Sequence, residues 1–402
     1  MNIKRTLEGA LRDTSKSFKV VLVTGPRQVG KTTLMQAAST KSRKYVTLDD
    51  KEALLQAKTD PKGFLSLYNL PIFIDEIQYA PELFSYIKML VDSSDRRGTV
   101  WMSGSQAFDL MQGVTESLAG RVGILDMLGF SLYETENKGK LQKPFLPRKD
   151  RKSVLANKSP QRTFKAIWQG SFPDVVSKNE RERQRFYDSY IRTYIERDVR
   201  KITHISDEVS FIKFLKVSAA RTGQELNLTD IAKDIDVSPN TVKSWLSILR
   251  TSGLVYLLQP YFKNVTKRLV KTPKLYWMDT GLAAYLAGWT TSASLETGIA
   301  AGAFFETFVI SEVIKSYCHN GYSPTLYYFR DSNGKEIDLL IEQDNRFYPI
   351  EIKKTSTPKS ADIKTFDDFA KMEKLGYGNL ICLTDKQLPL SAGATAISIW
   401  DI

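Results

Sequence analysis

Cysteine and histidine are scarce in this sequence, which holds two residues of each type among 402. Cys318 and Cys382 are too few for a disulfide framework and lack the paired spacing of a zinc site. His204 and His319 are isolated from each other, so they indicate neither a metal centre nor a catalytic triad. The cysteine usage is typical of a reducing compartment, and we expect the cytoplasm.

Long apolar runs are missing as well. No stretch approaches the roughly 20 residues that cross a bilayer. The opening residues, MNIKRTLEGALRD, lack the apolar centre and the small-residue cleavage site of a secretory signal. We therefore expect no membrane partner, and with no internal repeat we expect no repeat architecture.

The chain does have a large apolar fraction and an excess of positive charge. Hydrophobic residues make up 42% and charged residues 25%, as in globular proteins with a sizeable core. Lys and Arg number 57 against 45 Asp and Glu, which gives a formal net charge of +12. Such an excess attracts polyanions, so we expect nucleic acid, DNA foremost, as a partner; the alternative is that the charge serves solubility alone.

Apolar strand patterns and helical patterns alternate from residue 19 to about residue 134. The predicted strands are 19–24, 45–49, 71–75 and 99–105, and this alternation predicts an α/β fold with a parallel sheet. A polar segment follows at 135–162, which is either a linker or an ordered insertion. The rest of the chain has three parts: a helical pattern at 163–218, a compact unit at 228–261 and a second alternating region from about 275.

Residues 25–32, GPRQVGKT, fit the phosphate-binding pattern G-x-x-x-x-G-K-[ST], with a strand before them and a helix after. Lys31 would reach the β- and γ-phosphate oxygens, and the Thr32 hydroxyl would bind Mg²⁺. The helix N-terminus adds its dipole to the anion site. We therefore predict that ATP and Mg²⁺ are bound here. The predicted nucleotide-binding residues are Gly25, Pro26, Arg27, Gln28, Val29, Gly30, Lys31, Thr32 and Thr33.

A second acidic element ends the strand at 71–75. Asp75 is predicted to hold the magnesium ion through water, and Glu76 to act as the general base on the attacking water. At the tip of the strand at 99–105, Ser103 and Ser105 compete for the role of γ-phosphate sensor. Arg121, just past a helical stretch, is predicted to be either an arginine finger, in cis or from a neighbouring subunit, or an ordinary ion-pair residue.

The compact unit at 228–246 has the pattern of a helix-turn-helix. Thr229 is expected to cap its first helix, and Ser238 its second, with Pro239 at the first helical position. Gly253 then turns the chain into a strand, as in a winged helix. Asn240 and Lys243, with Ser244 beside them, lie on the face that a recognition helix offers to the major groove; the alternative is a unit used only for protein contacts.

Two predicted strands near the C-terminus carry acidic residues. Asp338 lies in EIDLLI, and Glu351 and Lys353 share a face of PIEIK. With Glu306 from a helical segment upstream, these residues are predicted to hold a divalent cation, Lys353 positioning a water, as in metal-dependent phosphodiesterases. The alternative is charged residues on a half-exposed strand.

These segments together resemble a widespread family of bacterial and archaeal ATPases, which join an AAA+-type module to an uncharacterised domain classed with the PD-(D/E)xK nuclease fold. The likeness is carried by GPRQVGKTTL, FIDEIQ, SLAGRV, GSFPDVV, TVKSWLSILRTSGLVYLLQPY, RLVKTPKLYWMDTGLAAYL, EIDLLIE and PIEIKK. It implies an AAA+/ASCE P-loop core at 1–135, a linker and helical lid at 136–224, a winged helix at 225–265 and a restriction-endonuclease-like α/β domain at 266–402. The segment before Asp338 departs from the family's Pro-Asp pair.

Two functions follow from this resemblance. The first is an ATP-hydrolysing, DNA-associated protein with a nuclease-like C-terminal domain, which acts as a monomer or as a homo-oligomer with Arg121 across the subunit boundary. The second is a nucleotide-dependent regulatory or interaction protein whose nuclease-like domain is catalytically inert.

Overall fold

The computed structural model describes residues 3–105, 114, 116–156, 159–194, 208–263 and 272–402. The helical stretch predicted at 163–218 can therefore be followed on either side of 195–207, which lie outside the described residues. Within the described ranges, no helix has both the length and the apolar character needed to cross a membrane.

A parallel sheet occupies the N-terminal part of the chain, which confirms the α/β prediction. Its five strands follow the spatial order β2-β3-β4-β1-β5. They are β1 (Val20–Thr24), β2 (Lys44–Thr47), β3 (Ile72–Asp75), β4 (Val100–Gly104) and β5 (Val122–Asp126). Because the strands are parallel, their carboxyl ends share one edge, and the loops after β1, β3 and β4 come together there.

Helices cover both faces of this sheet. α1 and α2 contribute to a large core on one face, whereas α3, α4 and α5 pack into a second core on the other. These helices are α1 (Leu7–Ser17), α2 (Lys31–Ala38), α3 (Lys51–Thr59), α4 (Pro61–Tyr68) and α5 (Leu83–Asp92). Alternation along β1 explains the division, since Val21 and Val23 enter the large core while Val20 and Leu22 enter the other.

The segment after β5 is an ordered insertion, not a loose linker, over its described residues. Phe145 is fully buried in the large core, and Arg151 donates a hydrogen bond of 2.9 Å to the carbonyl of Asp401. The helices that follow β5 are α6 (Leu132–Thr135), α7 (Pro160–Gln169), α8 (Glu180–Tyr194) and α9 (Glu208–Ala220).

A helix-turn-helix unit follows, formed by α10 (Leu228–Ile235) and α11 (Pro239–Thr251). Ser238 caps α11 as predicted, since its side chain accepts from the N–H of Thr241. The cap of α10 is Asn227, which accepts from the N–H groups of Thr229 and Asp230, so the cap predicted at Thr229 was wrong. Asparagine is equally suited to the role, and the helix begins earlier than expected.

A second, nine-stranded sheet joins this unit to the C-terminus, in the order β13-β14-β12-β11-β10-β9-β7-β8-β6. β7 pairs with β8 of its own hairpin and also, in parallel, with β9. The division predicted between 265 and 266 lies outside the described residues, in the segment between β7 and β8. The strands are β6 (Gln224–Glu225), β7 (Val255–Pro260), β8 (Lys274–Trp277), β9 (Thr325–Arg330), β10 (Glu336–Gln343), β11 (Arg346–Ile352), β12 (Gly378–Cys382), β13 (Leu388–Ser391) and β14 (Ala394–Ser398).

The first two of the remaining helices pack against α7, and the last two against the second sheet. These four helices are α12 (Thr280–Leu286), α13 (Ser292–Thr297), α14 (Ala301–Cys318) and α15 (Lys364–Ala370). The large core runs without interruption from Val21 of the first sheet to Phe304 of α14 and Ile350 of β11. The N- and C-terminal parts of the chain therefore share buried apolar contacts.

A buried ion cluster connects the same two parts. Glu134, which is fully buried in α6, lies 3.1 Å from the Arg5 guanidinium and 3.3 Å from Nδ1 of His319 at the end of α14. Its carboxylate also accepts from the N–H groups of Thr6 and Ser131. Burial alone would raise the pKa of Glu134, but the charge of Arg5 and the contact with His319 outweigh it and hold the pKa well below its ordinary value.

Replacing Glu134 should therefore destabilise the whole protein. Glu134→Gln keeps the size of the side chain but leaves Arg5 buried without its counter-ion, so we expect the free energy of unfolding to fall by about 3–5 kcal/mol. Glu136→Gln is the control, because its ion pair with Arg162 is only half-buried and should cost less than about 1 kcal/mol. Urea unfolding measures both, and equal losses would contradict the role of Glu134.

The pH dependence of that difference has a defined sign. A lowered carboxyl pKa contributes stability above the ordinary pKa, and this contribution disappears as the pH falls toward the lowered value. The gap between wild type and Glu134→Gln should accordingly be full near neutral pH and should shrink in acid.

Candidate functional site

The predicted phosphate-binding loop connects β1 to α2. Gly25, Gln28 and Gly30 take φ angles of 140°, 60° and 92°, so the backbone curls tightly. A Cβ atom on Gly25 would lie 2.0 Å from the carbonyl oxygen of Met127, and only glycine fits that approach. The first-turn amides of α2 have no carbonyl partner within their helix and open toward the loop.

The side chain of Lys31 closes this loop on itself. Its ammonium donates to the carbonyls of Gly25 and Pro26 at 2.9 and 2.8 Å, and the residue is buried. Both acceptors are neutral backbone oxygens, which form weaker hydrogen bonds with an ammonium than charged phosphate oxygens do. The lysine is thus held at the loop by contacts that a phosphate can replace.

Asp75 stands at the centre of the site, at the end of β3. Its carboxylate accepts from the Thr32 hydroxyl at 2.8 Å, from the Tyr45 hydroxyl at 3.2 Å and, in a short contact, from the Ser103 hydroxyl. Burial, together with the charge of Asp75, raises the pKa of Tyr45 to about 12. Ser103 therefore orients Asp75, and Tyr45 is a member of the site that sequence reasoning missed.

Glu76 follows with a left-handed backbone, at φ 56° and ψ 43°. A non-glycine residue there carries strain of roughly 1–2 kcal/mol, which tends to persist at functional sites. Its carboxylate accepts from the amide of Gln78 and, at 3.3 Å, from the hydroxyl of Ser105. Of the two competing serines, Ser103 is thus bonded to Asp75 and Ser105 to Glu76; the sensor role stays a prediction for both. Gln78 was not foreseen.

Arg121 lies at the opposite edge of the sheet. It precedes β5, whose first residue Val122 pairs with Val20 at the start of β1, whereas the phosphate-binding loop follows the other end of β1. Its guanidinium forms a bidentate ion pair with Asp92, at 2.6 and 3.0 Å. This position agrees with the ordinary ion-pair alternative and does not support a finger in cis; sequence order alone does not reveal which edge of the sheet a residue faces. A role in trans stays a prediction.

The loop is also supported from outside by two other parts of the chain. Arg5 donates hydrogen bonds to the carbonyl of Val29, at 3.3 Å, and to that of Leu128, at 2.6 Å. On another side, Gly253 at the end of the helix-turn-helix unit lies against Pro26, such that a Cβ on this glycine would be 3.1 Å from the proline Cδ. No local sequence signal marks either contact.

These contacts predict that a methyl group at Gly253 perturbs the nucleotide site. Gly253→Ala should add strain at φ 71° and also push on Pro26, so we expect weaker binding of a fluorescent ATP analogue. Gly288→Ala is the matched control, since its φ is 82° and nothing lies within 4 Å of its added Cβ. Both variants should lose about 1 kcal/mol of stability. Equal nucleotide affinity in the two would show that the contact does not matter.

Near the C-terminus, the structure brings the predicted acidic residues close to one another. The antiparallel register of β10 and β11 places Asp338 beside Glu351, and Asp338 accepts from the N–H of Ile352 at 2.8 Å. Lys353 lies 2.8 Å from Glu351. Burial, with the charges of Glu306 and Glu351, raises the pKa of Asp338, and burial raises the pKa of Glu351 to about 7 against the opposing effect of Lys353.

A lysine that sequence reasoning missed lies within the same cluster. The Lys274 ammonium, from β8, is 3.1 Å from Glu306 and in short contact with Glu336, and the Tyr276 hydroxyl donates to Glu306 at 2.5 Å. Among the described residues, no group of three or more His, Cys, Asp and Glu side chains is arranged to hold a metal ion. The metal role of Glu306, Asp338, Glu351 and Lys353 thus stays a prediction that this arrangement does not fit.

Comparison with known families agrees with the N-terminal geometry. The family described as "AAA domain" matches residues 17–136, and two domains of unknown function, DUF8612 and DUF4143, match 161–293 and 301–402. The parallel sheet, the phosphate-binding loop and the acidic end of β3 define an AAA-type P-loop ATPase domain.

Two curated mycobacterial proteins resemble nearly the whole chain. "Uncharacterized protein Rv2008c" of Mycobacterium tuberculosis and "Uncharacterized protein Mb2031c" of Mycobacterium bovis are each 31% identical over 358 residues, which is 88% of this chain and 75% of theirs. The chain belongs to the same protein family as these two relatives.

Solved structures give more distant likenesses. The Walker-type ATPase PABY2304 of Pyrococcus abyssi is 13% identical, with a TM-score of 0.44, and the match covers 70% of this chain and 94% of that one. For a point variant of RuvB from Thermotoga maritima the identity is 16%, the TM-score 0.30, and the coverage 67% and 94%.

Proposed function

We propose that this protein hydrolyses ATP, and that its nucleotide state controls a DNA-associated helix-turn-helix unit. The observation that carries the proposal is the hydrogen bond of 2.8 Å between Thr32 and Asp75. It joins two elements 43 residues apart, the loop that would hold the phosphates and the acid that would hold their metal.

The residues present fit ATP and Mg²⁺. Thr32 offers a hydroxyl and Asp75 a carboxylate, both hard oxygen donors of the kind that magnesium prefers. When bound, the ion would offset charge on the phosphate oxygens. Ser103 and Tyr45 hold the Asp75 carboxylate at the loop, so this acid is positioned before any ligand arrives.

Lys31 and Glu76 would carry the two remaining roles. Lys31 would leave the carbonyls of Gly25 and Pro26 for the β- and γ-phosphate oxygens, which are charged acceptors. Glu76 would accept a proton from the attacking water. Gln78 and Ser105 donate hydrogen bonds that orient its carboxylate for that task.

Substitution of these two residues should separate binding from hydrolysis. Lys31→Ala should weaken nucleotide binding and lower turnover by roughly a hundredfold or more, because it removes a charge that stabilises the transition state. Glu76→Gln should lower turnover to a similar extent but retain ATP binding, since only the base is lost. Phosphate release measures turnover, and a fluorescent analogue measures binding.

The control is Glu82→Gln, an exposed carboxylate in front of α5. It should leave both quantities unchanged. If wild type shows no turnover, or if the Lys31 and Glu76 variants match it, the hydrolytic role is refuted.

The order of elements from α9 to β8 supports a winged helix. One helix, a short strand, the helix-turn-helix pair and a hairpin follow one another, and β8 pairs antiparallel with both β6 and β7. Asn240, Lys243 and Ser244 are exposed on α11, as the major-groove prediction requires. The contact between Gly253 and Pro26 gives the nucleotide loop a direct path to this helix.

DNA binding should depend on α11. Lys243→Glu should weaken binding of duplex DNA by about tenfold or more at low salt, because the change replaces a predicted phosphate contact with a repulsive charge. Lys88→Glu makes the same charge change on α5 and should have a much smaller effect. Fluorescence anisotropy over a salt series measures the affinity. Equal losses in the two variants would indicate a purely global charge effect.

A second candidate is a nucleotide-dependent regulatory protein with a catalytically inert C-terminal part. The position of Lys274 among the carboxylates favours it, since an ammonium stands where cleavage would need a metal. Plasmid cleavage in Mg²⁺ that Asp338→Ala abolishes would favour a nuclease instead, whereas intact plasmid and RNA would favour the regulatory protein.

A further inference from the structure

We infer that Lys274 is the resident cation of the C-terminal carboxylate cluster, and that it takes the place of a divalent metal ion there. By the cluster we mean the carboxylates of Glu306, Glu336, Asp338 and Glu351. The same ammonium also connects the β7–β8 hairpin, which follows the helix-turn-helix unit, to the C-terminal strands of the nine-stranded sheet. This inference does not depend on ATP hydrolysis, because it concerns a site on the other sheet.

The geometry of Lys274 is that of a built-in ligand of the cluster. The residue is only 6% exposed, and its ammonium lies 3.1 Å from the Glu306 carboxylate of α14 and in contact with Glu336 of β10. The ring of Tyr328, on β9, lies 5.5 Å from the same nitrogen. One side chain from β8 therefore touches a helix and two strands of the C-terminal part.

Charge explains why a cation must be present. Carboxylates that are buried near one another repel, and an ionised group without a counter-charge is costly to bury. Lys274 supplies that charge to Glu306 and Glu336, as Lys353 does to Glu351. A divalent ion needs several oxygens at about 2.0–2.6 Å, and an ammonium already bonded to two of the carboxylates excludes it by both space and charge.

Without the lysine, we expect the same carboxylates to offer a site for a metal ion. The Oε2 atom of Glu351 is buried without a hydrogen-bond partner among the described residues, and Glu351 itself is 5% exposed. In the described part of the chain, the four carboxylates also outnumber the cationic side chains that contact them, which are Lys274, Lys353 and, at 3.9 Å from Glu336, Arg330. Replacing Lys274 with methionine, which lacks the terminal ammonium, should therefore free the space beside the carboxylates and leave an oxygen ligand there for a hard divalent cation.

The connection matters for coupling between the parts of the chain. Among the described residues, β7 pairs with β9 through Gln259 and Pro260, and the N–H of Tyr261 adds a hydrogen bond to the carbonyl of Tyr328, so backbone pairing between the hairpin and the C-terminal strands is short. Lys274 adds a buried ionic contact across that junction. The β7–β8 hairpin and the C-terminal strands should consequently move together for as long as the ammonium is present.

Binding of Mn²⁺ to the full-length protein, measured by electron paramagnetic resonance without nucleotide, tests the inference. The proteins compared are wild type, Lys274→Met, Lys274→Arg, Asp338→Asn and the double variant Lys274→Met with Asp338→Asn. We expect Lys274→Met to bind about one Mn²⁺ per chain more than wild type, with an affinity in the roughly 0.1–1 mM range. Lys274→Arg, which keeps the charge, should match wild type, and the double variant should lose the additional ion.

Three results would overturn the inference: no additional Mn²⁺ in Lys274→Met, an additional ion that survives Asp338→Asn, or a wild-type ion that Asp338→Asn removes. If Lys274→Met is too unstable to isolate, the comparison of Mn²⁺ binding between wild type and Asp338→Asn tests the inference. Equal Mn²⁺ binding is then expected, and an ion lost from Asp338→Asn refutes Lys274 as the resident cation.

Discussion

The carboxylate of Glu134 is the point on which the rest of the structure depends. It is fully buried, and it meets Arg5 from the N-terminal segment and His319 from the end of α14. The Leu128 N–H donates to Nε2 of His319, and this contact keeps Nδ1 of the ring on the side of the Glu134 carboxylate. A buried charge is tolerated only where such partners are fixed, so the cluster admits one arrangement of the three segments. Lys315, one helical turn before His319, is a second buried charge with fixed partners, since its ammonium contacts the Glu312 carboxylate and donates to the carbonyl of Phe130.

The nucleotide loop is consequently in contact with parts of the chain that lie outside its own sheet. Arg5 contacts both Glu134 and the carbonyl of Val29 within the loop, and Gly253 lies against Pro26 on another side. A close-packed interior contains little empty space to absorb a small shift, so whole helices or strands move instead. If Lys31 exchanges carbonyls for phosphates as we propose, the rearranged loop would act on α14 through Arg5 and on α11 through Gly253. One local change at the proposed site would then bias both of the large units that surround it.

How far the sequence predicts this molecule depends on whether the relevant groups are near one another in the chain. The loop at 25–32, the acidic end of β3 and the cap at Ser238 were foreseen, since each rests on a short pattern with a local physical cause. Tyr45, Gln78 and Lys274 were missed, because strand register and hairpin pairing bring them to their sites from a distance. For the same reason the sequence left Arg121 open between an arginine finger and an ordinary ion pair: its motif is local, but the edge of the sheet on which it lies is a property of the whole fold.

The two buried lysines show how the same residue type serves opposite purposes. Lys31 bonds to neutral carbonyls, which a ligand with negative charge can displace, so its position is conditional on what binds. Lys274 bonds to two carboxylates, which no anion can displace and which a metal could take only by expelling the lysine. The first lysine is therefore suited to sensing, and the second to holding. If the protein senses phosphate at the first sheet as proposed, a shift of the loop would reach a β7–β8 hairpin that Lys274 holds to the C-terminal strands. Because the hairpin and those strands would not separate, the energy of nucleotide binding would move them together as one unit.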